Sequence, residues 1–139
     1  MIDPLKVATR IAGAGLEAQS LRMRIVAENI ANARSTGRTP GADPYTRKTV
    51  SFQSEFDRTL GVADVQVRSI GVDHTPFTIE NDPGNPAADK DGNVKMPNVN
   101  MVLEMADMHE ASRSYEADLQ MIKQARSMNA QMLDLLRNS

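Results

Sequence analysis

The chain has 139 residues, about one domain's worth, with 40% apolar residues, 4% aromatics, no Trp and nine Met. A net charge of −2 excludes the basic face by which proteins hold nucleic acid, and no run approaches the roughly 18 apolar residues of a membrane span. With no cysteine, disulfides, thiolate-held metals and thiol nucleophiles are excluded as well.

The start, Met1-Ile2-Asp3-Pro4-Leu5-Lys6, has no basic stretch leading into an apolar one, so no cleaved secretory signal is expected. Proline then punctuates the chain: none falls between residues 5 and 39, and none after Pro97. Two Pro-free flanks enclosing a Pro/Gly-rich middle predict helix, insert, helix. The blocks are residues 1–33, 34–97 and 98–139.

In the first block Asp3 can cap a helix and Pro4 suits its first position. Two interleaved rows form one apolar stripe: Ile2, Thr9, Leu16, Met23, Ile30 and Leu5, Ala12, Gln19, Val26, Ala33. Leu21 and Ile25 lie off it, so a second face is also partly apolar. Gly13 and Gly15 each cost about 1 kcal/mol relative to Ala, and a bend is expected there. Asn29 and Asn32 are expected to do structural work at the end of the helix, since Asn tolerates the left-handed conformation that closes helices and bonds nearby backbone.

The middle block holds four of the five aromatics, Tyr45, Phe52, Phe56 and Phe77. Residues 47–52 and 64–70 have strand composition, and 77–80 suit a third short strand. Pro83-Gly84 and Asp91-Gly92 are turn dipeptides.

The last block predicts a helix over 98–137, capped by Asn98 or Asn100. One row includes Met101, Met105, Met108, Tyr115, Leu119, Ile122, Leu133 and Leu136. A second includes Ala111, Asp118, Met121, Ala125, Met128, Met132 and Leu135. So wide a face needs several neighbours, as in a bundle or polymer. Seven of the nine Met lie from Met96 onward, and Met suits both core filling and adaptable contact surfaces. The fold class is mainly α: long N- and C-terminal helices forming a coiled-coil-like polymer core, with a small irregular β-containing insert.

Chemistry finds little support. Around Asp89-Lys90-Asp91-Gly92-Asn93 a calcium loop would begin at Ala87 and end at Asn98, neither of them an acid. His109-Glu110 has no second His four residues on, His74 stands alone, and Gly13-Ala14-Gly15 lacks the rest of a phosphate loop. Acid pairs such as Glu55 and Asp57 come with no partner that would set a catalytic pKa. No enzyme activity, cofactor, metal or small-molecule substrate is expected.

Three stretches carry a family resemblance. Ser20-Leu21-Arg22-Met23-Arg24-Ile25-Val26-Ala27-Glu28-Asn29-Ile30-Ala31-Asn32, followed by Thr36-Gly37, resembles the N-terminal motif of bacterial flagellar rod and hook proteins, centred on Asn-x-Ala-Asn. The stretch from Asp82-Pro83-Gly84-Asn85-Pro86 through Gly92-Asn93-Val94-Lys95-Met96-Pro97-Asn98 is similar to proximal-rod members of that family, as is Glu104-Met105-Ala106-Asp107-Met108 running into Glu110-Ala111-Ser112-Arg113-Ser114-Tyr115. Arg34-Ser35 departs from the pattern, in which Thr-Pro-Gly-Tyr often follows directly. Here Pro40-Gly41 and Tyr45 come later.

The resemblance implies a structural subunit of the proximal rod, exported unfolded by the flagellar type III apparatus and residing in the basal body. Its implied partners are like subunits in a helical assembly, other flagellar rod proteins and the junction of export gate and membrane ring. Candidate assembly contacts are Leu16, Met23, Val26, Asn29, Ile30 and Asn32 on the first helix. On the second they are Met105, Met108, Tyr115, Leu119, Ile122, Leu133 and Leu136. The competing reading is a cytosolic helical adaptor or export chaperone acting as a dimer.

Overall fold

The computed structural model describes residues 3–138; Ile2, the first member of one predicted row, lies outside them. The element order is α1 (Pro4–Ala31), β1 (Lys48–Asp57), β2 (Val62–Val72), β3 (Thr78–Asn81), β4 (Asn93–Met96) and α2 (Met101–Arg137). The two terminal helices and the small β insert match the expected element order.

Asp3 caps α1: its carboxylate accepts from the Leu5 amide at 3.0 Å and its carbonyl from the Val7 amide at 3.1 Å. Asn100 does the same for α2, accepting from the Val102 and Leu103 amides at 3.1 and 3.3 Å. The other cap candidate, Asn98, is occupied elsewhere. The helix is continuous through Gly13 and Gly15.

The strands outrun their expected limits. Residues 47–52 become the start of a ten-residue strand and 64–70 the centre of an eleven-residue one. The two pair as a hairpin, and its turn explains the length. Asp57 accepts from the Thr59 and Leu60 amides at 2.8 and 3.2 Å, and Gly61, at φ 66°, donates to the Asp57 carbonyl. Those two amides hold the Asp57 carboxyl below its ordinary range. β4 was not anticipated. It pairs antiparallel with β3, Thr78 opposite Met96 and Asn81 opposite Asn93, and alternates Asn93 and Lys95 outward with Val94 and Met96 buried. Gly92 delivers the chain into it at φ 80°, where a Cβ would also sit 2.9 Å from Pro83 Cγ.

Contacts group the chain into two units. Unit 1 comprises Met1–Met23, Ser51–Ser69 and His109–Ser139; unit 2 comprises Arg24–Val50 and Ile70–Met108. In unit 1 the helix segments run antiparallel, with Gly15 against Asp118 and Arg22 bonded to Glu110 at 3.2 Å. The buried residues are small: Ala12, Ala18, Ala111 and Ala125. Such side chains bury little apolar area, but they permit close helix approach. Arg10 bridges to the hairpin through Asp57 at 2.8 Å and Asp64 at 3.6 Å. A cleft of about 410 Å³ runs between Ala14, Glu17 and Ala18 on α1 and residues 64–67 of β2.

The two helix glycines have opposite roles. A Cβ at Gly13 meets nothing within 4 Å, whereas one at Gly15 would overlap the Asp118 carboxyl, with Cγ 2.9 Å away. Gly13→Ala is therefore expected to raise stability by up to about 1 kcal/mol. Gly15→Ala should cancel or reverse that gain. Thermal melts of the two variants side by side check this.

Asp118 itself supplies a pH signature. Burial raises its pKa. A folded-state pKa above the unfolded value favours the fold below the unfolded pKa, and that contribution disappears as pH rises through the folded pKa. At neutral pH the ionised carboxylate opposes the fold. Asp118→Asn should raise the melting midpoint at about pH 7 and lose that advantage at about pH 3.

Candidate functional site

Unit 2 is organised around polar side chains. Glu104 and Asn29 are each 1% exposed and rank with Val26 and Val94 as the largest fully buried side chains. Asn29, near the end of α1, uses all four hydrogen-bonding positions of its amide. Its Oδ1 accepts from the Tyr45 hydroxyl and the Lys48 amide, both at 2.8 Å. Its Nδ2 donates to the Lys48 carbonyl at 2.9 Å and to Glu104 Oε2 at 3.2 Å. The amide thus satisfies the first residue of β1 as a paired strand would.

Glu104 receives its other partner from Arg47 Nε. Arg47 Nη1 bridges to Asp73 at 3.3 Å, and its amide donates to Asn98 Oδ1 at 2.8 Å. Asn98 Nδ2 continues to the carbonyls of Asp73 and Thr75, both at 3.0 Å. Lys48 Nζ pairs with Glu28. Burial works against the Arg47 cation, but Glu104 and Asp73 outweigh it and raise its pKa. Burial, then Glu28 and Glu104, raise that of Tyr45. Bonds from Thr75 keep the Asp73 carboxyl low. The result is a clamp joining the end of α1, residues 45–48, the end of the hairpin and the first turn of α2. Among the described residues no buried side-chain polar atom is left without a partner, so the clamp acts as a joint.

Asn32 bonds nearby backbone at the end of α1, as expected, but without the left-handed conformation. No non-Gly residue among those described has positive φ. Asn32 Nδ2 instead donates to the Glu28 carbonyl and its Oδ1 accepts from Ser35 Oγ, both at 3.0 Å. The late Pro40-Gly41 and Tyr45 are accommodated by a folded-back loop. Gly41 donates to the Ala87 carbonyl at 3.1 Å, and the Tyr45 amide donates to the Ser35 carbonyl at 2.9 Å. At the calcium-like stretch, Asp89 Oδ1 accepts from the Asp91 and Asn93 amides at 2.9 Å, making it a turn-former. His74 and His109 are exposed.

The candidate assembly residues divide by burial. Val26 and Asn29 are buried within the chain. Leu16, Met23, Ile30, Asn32, Met108, Tyr115, Leu119 and Ile122 are half-buried, and Met105, Leu133 and Leu136 are exposed. In α2 the chain's own inward line is Glu104 in unit 2, and Ala111 and Ala125 with half-buried Asp118 in unit 1. Beyond Ala125 every described residue is exposed, including Met128, Met132, Leu133, Leu135 and Leu136. The first turn of α2 likewise leaves Val102 and Leu103 open.

Glu104, Arg47, Tyr45 and Lys48 were missed as site residues. A signal existed for Glu104: counting back seven residues from the row Ala111, Asp118, Ala125 lands on it, an acid on an inward line.

The described chain has a helix at each end and leaves the last turns of α2 uncovered. Residues 90–135 match the profile of the C-terminal region of flagellar basal body rod FlgEFG proteins. Across 138 residues, 99% of each chain, the sequence is 63% identical to flagellar basal-body rod protein FlgC of Agrobacterium fabrum. It is 42% identical to FlgC of Salmonella typhimurium, covering 90% of this chain and 92% of that one. It is 38% identical to FlgC of Borreliella burgdorferi, covering 91% and 94%. The chain belongs to the FlgC family of flagellar basal-body rod proteins. No helix among the described residues is long and apolar enough to cross a membrane.

Proposed function

We propose that this chain is a structural subunit of the flagellar proximal rod, polymerising through its terminal helices in a torque-transmitting shaft. The carrying observation is the open end of α2, where Met128, Met132, Leu133 and Leu135 are exposed on their own chain. Isolated apolar residues on a surface need no explanation; a helix end whose whole apolar side is open does. Contacts that repeat along a shaft are heterologous, so one face of each subunit meets a different face of the next. Like subunits and other rod proteins supply the cover, and the basal body is the site of action. The chain reaches it through the flagellar export apparatus.

The clamp has a place in this reading. A shaft under torque needs the helices and the insert to move together, and a fully satisfied polar network holds one geometry more selectively than an alanine seam does. The test is complementation: cells lacking their own subunit receive a tagged copy, and basal bodies are purified. The tagged chain should copurify with rods and restore swimming. A folded dimer retained in the cytosol, absent from basal bodies, would favour the chaperone reading instead.

A further inference from the structure

The open stretch of α2 in unit 1 is built on sulfur. Met121, Met128 and Met132 are 48%, 44% and 50% exposed and follow one another at seven- and four-residue steps, on one side of the helix. Ala125, between them, is buried. By contrast Met96, in the small core of unit 2 with Ala87 and Val94, is 7% exposed. The chain has no cysteine, so its two-electron redox chemistry falls to thioethers; Met105 and Met101 in unit 2 are also open, at 51% and 38%, but they do not lie on this stretch of α2.

We infer that Met121, Met128 and Met132 form a reversible oxidation site for hydroperoxides, and that their sulfoxides close this face of α2 to assembly. In each step a sulfur lone pair attacks the terminal oxygen of the hydroperoxide and the O–O bond breaks. Sulfur gains oxygen and is oxidised by two electrons, while the hydroperoxide is reduced to water or an alcohol. The product replaces a flexible apolar side chain by a polar one with a strong acceptor oxygen. On a helix face bound for a dry contact, that oxygen has no donor waiting, and an unpaired buried acceptor opposes association. The chain's own fold is spared because these side chains are largely open to solvent. Only subunits not yet assembled are open to the reaction. The consequence for assembly rests on the rod reading above; the order of oxidation does not.

The test begins with purified full-length chain and hydrogen peroxide, followed by peptide mass mapping over time. Met121, Met128 and Met132 should oxidise at least about tenfold faster than Met96, with far-UV circular dichroism retained. The two methionine sulfoxide reductases should reverse the mass gain. Cells lacking their own subunit then receive either the wild-type chain, a triple Met→Leu chain, a triple Met→Gln chain mimicking the sulfoxide, or Met128→Asp. New rod formation should fall severalfold under peroxide with the wild-type chain. The ratio of treated to untreated should stay near one with the Leu chain, whatever its starting level. The Gln chain should form few rods. Oxidation of Met96 as fast as the stripe would overturn the site itself. Normal rods from the Gln chain, with Met128→Asp failing, would overturn the gating alone; normal rods from both would remove the rod reading beneath it.

Discussion

Asn29→Asp is expected to lower stability by about 3–5 kcal/mol, the range for breaking a buried charged pair, although it changes only one side-chain atom. The replaced nitrogen donates to the Lys48 carbonyl and to Glu104 Oε2. An oxygen there donates nothing, strands both acceptors and sets a second carboxylate beside Glu104, itself 1% exposed. Arg47, already shared between Glu104 and Asp73, cannot neutralise three carboxylates. Urea unfolding should show the midpoint falling. Combining Glu104→Gln with Asn29→Asp should recover part of the loss, because the new amide at position 104 can donate to the carboxylate introduced at position 29. A double-mutant cycle measures that coupling. Tyr45→Phe, which removes one of two donors to Asn29 Oδ1, should cost only about 1 kcal/mol. Equal stability of Asn29→Asp and the parent chain would mean that the clamp does not hold unit 2 together.

The helices were legible because their signals are local. Asp3-Pro4 at one start, Asn100 at the other, and the absence of interior proline are facts about neighbouring residues, and the caps formed as that chemistry requires. The turn dipeptides were equally local: Gly92 takes the positive φ that its position demands. Strand extents were less legible. Residues 53–57 lie beyond the predicted strand, yet β1 continues through them because the Asp57 turn returns the chain for cross-strand bonding. Composition reports a strand's burial, and this ribbon is largely exposed.

The clamp was the least legible part, for a physical reason. Asn29, Arg47, Asp73, Asn98 and Glu104 lie far apart in sequence, and apart from Glu104, which extends the row Ala111, Asp118, Ala125, none was marked by a periodic partner. Apolar rows select the residues that pack, whereas a buried polar network is recognised only when its donors and acceptors are seen to meet. Around Asn29 the expected backbone bonds form without left-handed backbone, because its planar amide offers two donors and two acceptors. The apolar rows themselves only partly coincide with the chain's own packing. Alanines and a glycine do the intrachain packing in unit 1, and the long apolar residues at the end of α2 face outward.

That separation predicts that Leu135→Asp leaves the isolated chain intact and abolishes rod formation. Leu135 is 71% exposed, so a carboxylate there stays solvated in the free chain, and stability should change by less than about 0.5 kcal/mol. In a dry subunit contact the same carboxylate must shed its water without a partner, at a cost of several kcal/mol, repeated at each copy along the shaft. Leu119→Asp is the comparison. Leu119 is half-buried beside Arg113, Glu116 and Gln120, so part of its cost falls on the chain's own fold, and both urea midpoint and rod formation should drop. Expressed in cells lacking the native subunit, Leu135→Asp should still be secreted, since an unfolded chain in transit does not use its packed surfaces. Protein in the medium and periplasm, an unchanged unfolding curve and no swimming would locate the failure at the subunit contact. Normal swimming by Leu135→Asp would show that the end of α2 faces solvent in the rod, and the cover proposed for it would have to lie on another face.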